Sequence, residues 1–145
     1  MIYMLDTNIC IYLLRQNRPS VAEIMRDRMS KGHETCMSSI TYDELVNGGV
    51  NKEAAEREEL RSLADALCRR LSYHMLEWDS ECDQKFSALK KAFFRKFPNT
   101  SLDRVKNDLM IAAHALTLPA TVVTNDRDFR RIREAGGPPW ENWVR

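Results

Sequence analysis

The chain has 145 residues, with 22 lysines and arginines against 21 aspartates and glutamates, and a domain of that size buries roughly 68–70% of its unfolded surface around one core. Near-neutrality names neither a nucleic-acid nor a membrane partner, and no apolar run approaches the roughly 20 residues that cross a bilayer. The charges are unevenly placed, however: residues 1–80 hold 10 basic and 13 acidic side chains, residues 81–145 hold 12 and 8, an asymmetry that suits a polyanion and that solvated helix faces would produce equally well.

Ile2 to Leu5 is continuous and apolar, the pattern of a short buried strand. Residues 8–15 follow as a helix, with Ile9, Leu13 and either Ile11 or Tyr12 on one side. Residues 20–30 form a second, with Ser20 as N-cap after Pro19 and Val21, Ile24, Met25 and Met29 at helical spacing. Thr35 to Met37 reads as another strand. The helix after it, around Thr41–Val46, is stopped by Asn47-Gly48-Gly49. From Asn51 to Leu71 the pattern is helical, and the stripe of Leu60, Leu63, Ala64, Leu67 and Leu71 is either core or part of a partner groove. Tyr73–Trp78 suits a third strand, and Asp79 caps a helix that runs to about Phe97 before Pro98-Asn99 breaks it. A further helix begins at Asp108 and continues to Leu116. Ala120–Thr124, rich in β-branched residues, is the fourth strand, and Asp126–Arg133 starts a last helix.

Short apolar strands alternating with helices predict an α/β fold, in which a central parallel sheet of four or five short strands is flanked by helices on both faces. The reading is one domain over 1–145, with a core of about 2–133 and an irregular tail, 134–145, containing Gly136-Gly137-Pro138-Pro139. Cys10, Cys36, Cys68 and Cys82 form no CxxC and read as small core residues of a reduced, cytosolic protein. MIYMLD reaches an acid too early for a signal peptide. His33, His74 and His114 lack zinc-site spacing.

Four acids stand where a site would be built. Asp6 follows the first strand, Glu44 lies early in the helix after the second, Asp108 begins a helix, and Asp126 follows the fourth strand. In open α/β sheets, ligands bind beyond the carboxyl ends of the strands. Each acid also has a bland explanation. Asp6 and either Asp126 or Asp128 could be helix caps, and Thr41-Tyr42-Asp43-Glu44 fits a capping box. Asp108 stands four residues after Arg104, the spacing of a surface ion pair. Should the four meet, each pair of carboxylates ~4 Å apart repels by about 4 kcal/mol at an effective dielectric near 20. The cluster must then take up protons or a cation, and oxygen ligands without His or Cys select Mg²⁺ or Mn²⁺. Lys90, Lys91, Arg95, Lys96 and Lys106 could follow a nucleic-acid backbone.

The stretches MLDTNICIYLL, SSITYDELVNG, NDLMIAAHAL and VVTNDRDF, in that order, resemble those of the PIN-domain ribonucleases and, within them, the VapC toxins of toxin–antitoxin pairs. The resemblance implies an α/β/α sandwich, Mg²⁺-dependent endonucleolytic cleavage of RNA, homodimers, and a cognate VapB-type antitoxin that covers the site. It maps metal-binding acids onto Asp6 and Asp108, with Glu44 and Asp126 completing the catalytic set, and makes Thr7, Asn8 and Thr124 the groups that orient carboxylates. NTSLDRVKND departs from relatives, which often carry glycine there, and it contains a competing Asp103. Two rival readings are an aspartyl-nucleophile phosphatase of haloacid-dehalogenase type, which needs an acid where Asn8 stands, and a non-catalytic RNA- or protein-binding domain whose acids are caps.

Overall fold

The computed structural model describes residues 1–48 and 53–145. Four parallel strands pair in the order β2-β1-β3-β4: β1 (Ile2–Leu5), β2 (Glu34–Cys36), β3 (Thr121–Val123) and β4 (Trp140–Glu141). Helices α1 (Thr7–Arg15) and α2 (Pro19–Ser30) connect β1 to β2. Between β2 and β3 come α3 (Ser39–Asn47), α4 (Ala54–Arg70), α5 (Ser80–Lys96) and α6 (Leu102–Thr117), and α7 (Asp128–Glu134) precedes β4.

The two-residue period of a strand explains the layers. Tyr3 and Leu5 enter a buried cluster with Ile9 and Leu13 of α1, Val21 and Met25 of α2, and Leu67 of α4. Met4 faces the other way, into Phe93 of α5, Leu109 and Ala112 of α6, and Phe129 of α7. Val123 and Val122 divide in the same manner. A sheet buried on both faces has no polar side, which is why its strands read as unbroken apolar runs. All four cysteines are free and buried. Among the described residues no helix is long and apolar enough to cross a membrane.

Several boundaries differ from expectation, each for a local reason. Pro19 takes the first turn of α2, where its missing N–H costs nothing, so Ser20 lies inside the helix and donates to the Trp143 carbonyl instead. Helix α3 starts earlier than expected, capped by Ser38, whose Oγ accepts from the Ile40 amide at 3.1 Å. The expected strand at 73–78 is reduced to a single bridge, Ser38 to Leu76. The expected start of α4 at Asn51, and Gly49 of the stop signal, lie outside the described residues. Asp79 caps α5 through the Cys82 amide, as read from the sequence.

The tail, expected to be irregular throughout, carries one short strand, and that reading is corrected there. Trp140 and Glu141 extend the sheet as β4, in register with Val122 and Val123. Pro139, which lacks an N–H, still accepts from the Val122 amide through its carbonyl at 2.9 Å, a role open to proline at a sheet edge. Trp143 is 1% exposed and packs 5.3 Å from the Tyr3 ring centre.

A carboxylate cluster at the carboxyl edge of the sheet

Because the strands are parallel, the residues that follow β1 and β3 emerge at one edge. Asp6 is 3% exposed, and its amide still donates to the Val123 carbonyl at 2.9 Å, extending the sheet ladder by one bond. Its carboxylate accepts from the Thr7 amide through Oδ1 at 2.8 Å and from Thr124 Oγ1 through Oδ2 at 2.7 Å. Asp6 is thus the cap of α1 and a buried anion as well. The Thr124 hydroxyl has one proton, which it gives to Asp6, and its lone pair accepts the Asp126 amide at 3.0 Å. One side chain thereby holds two of the acid-bearing segments in register.

Glu44 does not close a capping box. Thr41 is buried inside α3, and Glu44 Oε1 accepts from Thr7 Oγ1 at 2.8 Å. A side chain at Gly48, the cap of α3, would collide with the Glu44 carbonyl. Asp108 does not begin its helix either. α6 starts at Leu102, so Asp108 lies well past the first turn, beyond the reach of the helix-terminal charge expected to favour it. Nor does it pair with Arg104, which bonds Asp128. Asp103 is exposed in the first turn of α6.

Asp6, Glu44, Asp108 and Asp126 line one cavity of about 230 Å³, together with Thr7, Asn8 and Ile11. Asp108, Asp126 and Asp128 each bring an oxygen within 4.8 Å of the others. Asp128 differs in being compensated: its Oδ1 accepts from Arg104 at 2.9 Å and Arg131 at 2.8 Å, and its amide donates to Asp126 Oδ1. Burial, followed by the charges of Asp6 and Asp126, pushes the Asp108 carboxyl up to about 9. Asp6 is pushed up to about 6, again chiefly by burial; the bonds from Thr124 and Thr7 oppose the rise, and the Glu44 and Asp126 charges add to it. The cavity therefore holds carboxylates that resist ionising together.

Such a donor set fits a hard divalent cation. Asp6 and Asp108 bind protons abnormally tightly, chiefly because burial disfavours their charged form, and the acids offer oxygen alone. Thr7 and Thr124 orient carboxylates, as read from the sequence. Asn8 does not: its amide donates to Asn125 Oδ1, while its own Oδ1 is buried without a partner among the described residues. Arg104, Arg131 and Asn125 were not among the expected site residues: Arg131 stands one turn beyond Asp128 on α7 and Asn125 next to Asp126, whereas Arg104 reaches Asp128 across 24 residues of chain.

A sequence model of the PIN domain matches residues 3–135. The chain belongs to the PIN-domain family. Within that family it is similar along its length to VapC ribonucleases. It is 34% identical over 133 residues to ribonuclease VapC2 of Rickettsia felis, covering 91% of this chain and 92% of that one. It is 30% identical over 142 residues to the tRNA(fMet)-specific endonuclease VapC of Shigella flexneri, covering 97% of both. Among solved structures, VapBC2 of Rickettsia felis bound to a promoter DNA fragment superposes with a TM-score of 0.77 at 29% identity, covering 99% of both chains. DNA-bound VapBC of Salmonella typhimurium gives 0.76 at 27% identity with the same coverage. The α/β arrangement with a four-stranded parallel sheet is the PIN fold.

Proposed function

We propose that this PIN domain is a Mg²⁺-dependent endoribonuclease, the toxin of a VapBC-type pair. The observation that carries the proposal is the convergence of Asp6, Glu44, Asp108 and Asp126 on one cavity from four separate parts of the chain. Asp6 and Asp108 would hold Mg²⁺ or, as a substitute, Mn²⁺, with Glu44 and Asp126 completing the shell or holding a second ion. Bound there, the ion would lower the pKa of a water and offset charge on the attacked phosphate.

The chain's own groups do the rest. Thr124 and Thr7 fix the Asp6 and Glu44 carboxylates before substrate arrives, which removes a reorganisation cost. Glu44 is half-buried and held from one side by Thr7, and its other oxygen, without a partner among the described residues, would take the proton of the attacking water. A new O–P bond forms in line with the bond that breaks. The 3′ oxygen leaves with the bonding pair and takes a proton from solvent, giving a 5′-phosphate and a 3′-hydroxyl. The relatives' names support transfer RNA or another structured RNA as the substrate class. Their complexes support a VapB-type antitoxin as partner, and we extend the proposal to a homodimer.

The phosphatase alternative lacks support at its key position, since Asn8 is neither an acid nor directed at a carboxylate. To test the proposal, total RNA is incubated with the parent and the Asp6→Asn protein, with Mg²⁺ or with EDTA, and the cut ends are mapped. Discrete ends should appear with the parent in Mg²⁺ alone. Equal cutting by Asp6→Asn would end this mechanism.

A further inference from the structure

Asp128 accepts from two arginines, and the two are held very differently. Arg131 is locked: Nη2 reaches Asp128 at 2.8 Å, Nη1 donates to Thr100 Oγ1 at 2.8 Å, and the guanidinium lies 5.5 and 5.2 Å from the ring centres of Phe93 and Phe97. Arg104 makes a single hydrogen bond among the described residues, Nη2 to the same Asp128 oxygen at 2.9 Å, and its side chain is 65% exposed. A guanidinium carries five N–H donors. Arg131 suffices to neutralise Asp128, so the second cation is not needed for charge balance.

The position of Arg104 suggests what it is for. It stands one helical turn before Asp108 on α6, a spacing that puts both on one face. Its anchor, Asp128, has an oxygen within 4.8 Å of oxygens of Asp108 and Asp126. The guanidinium is therefore held next to the acid cluster, with one nitrogen bonded and the others without a partner among the described residues. A phosphodiester approaching several carboxylates is repelled. A planar fork next to them matches the two non-bridging phosphate oxygens and offsets that repulsion.

We infer that Arg104 contacts the substrate: anchored through Asp128, it uses its free N–H groups to bind a phosphate of the RNA strand beside the cavity. This rests on the endoribonuclease reading. Asp128 is then the post that aims Arg104, and the competing explanation is that Arg104 only buttresses Asp128.

The test compares Arg104→Ala, Arg104→Lys and Lys31→Ala, each in the Asp108→Asn background so that RNA survives. Fluorescence anisotropy reads binding of labelled bulk tRNA in Mg²⁺ across a salt series. Arg104→Ala should weaken binding about tenfold, the loss of one charged hydrogen-bonded contact. It should also flatten the plot of log affinity against log salt by about one. Arg104→Lys should keep the slope and lose only part of the affinity. Melting should stay near that of the background protein, since Arg131 still holds Asp128, and Lys31→Ala, an exposed pair with Asp27, should change neither reading. Unchanged affinity and slope in Arg104→Ala, with only melting or Mg²⁺ response altered, would overturn the inference and leave the nuclease reading intact. A background protein with no tRNA affinity, together with a parent that cuts no RNA, would overturn both.

Discussion

Glu141 on β4 and Asp6 just past β1 are both carboxylates at strand ends of one sheet, and they have opposite surroundings. Glu141 Oε1 accepts from Arg28 Nη1 and from Trp143 Nε1, each at 3.1 Å, while Arg28 also donates to the Tyr3 hydroxyl and lies over the Tyr3 and Trp143 rings. Among the described residues Asp6 accepts only from neutral donors, and the charges that shift it belong to Glu44 and Asp126, which are acids too. The first arrangement is complete within the chain and serves to hold the last strand in place. The second has no positive partner for Asp6 among the described residues, and its acids hold protons more tightly instead.

The contrast can be broken most forcefully at Trp143. Trp143→Ala should cost about 3–5 kcal/mol through loss of a fully buried ring, lowering the melting temperature by roughly 10 °C in calorimetry. RNA cleavage assayed well below that midpoint should persist. A melting temperature near the parent's would show that β4 contributes little.

Next in size is Asp108→Asn, expected to lower RNA cleavage by about a hundredfold or more while raising the melting temperature in EDTA. The sign follows from the pKa. The folded-state value, about 9, lies above the ordinary carboxylate value, so the native protein retains a proton that the unfolded chain releases. In EDTA, stability should therefore fall as pH rises from about 4 to about 9, and Asp6 should add to the fall up to about 6. Mg²⁺, which binds the ionised form, should stabilise more as pH rises. Melting curves in EDTA that are flat across this window would show that burial does not raise these carboxyls.

The smallest effect is expected at Glu141→Gln. The Arg28 and Glu141 side chains are 27% and 31% exposed, so the pair is worth about 1 kcal/mol or less. Urea denaturation should detect that loss while cleavage is unchanged.

Much of the architecture could be read from the chain because strands buried on both faces announce themselves as apolar runs between helical periods. Asp6 and Asp126 could be placed for a related reason: a strand end in a parallel sheet fixes the edge to which the next residue belongs. Asp108 was harder. Its helix starts six residues earlier, at Leu102, because LDRVKN is itself compatible with a helix, and the apolar run that follows gave a false boundary. The Arg104–Asp108 spacing suggested an ion pair, but an acid 24 residues from Arg104 in the chain takes the guanidinium instead. β4 was concealed by its size, two residues beside two prolines, which carry no periodicity at all.

That last strand has a consequence for any shortened form of the chain. The Val122 and Thr124 amides donate to the Pro139 and Glu141 carbonyls, at 2.9 and 3.0 Å. Removing the C-terminal residues would turn β3 into a bare border with those amides unsatisfied, directly beside the segment that carries Asp126. Exposed borders of this kind recruit strands from other molecules. A truncated protein should therefore clump into insoluble material before its chemistry could be examined.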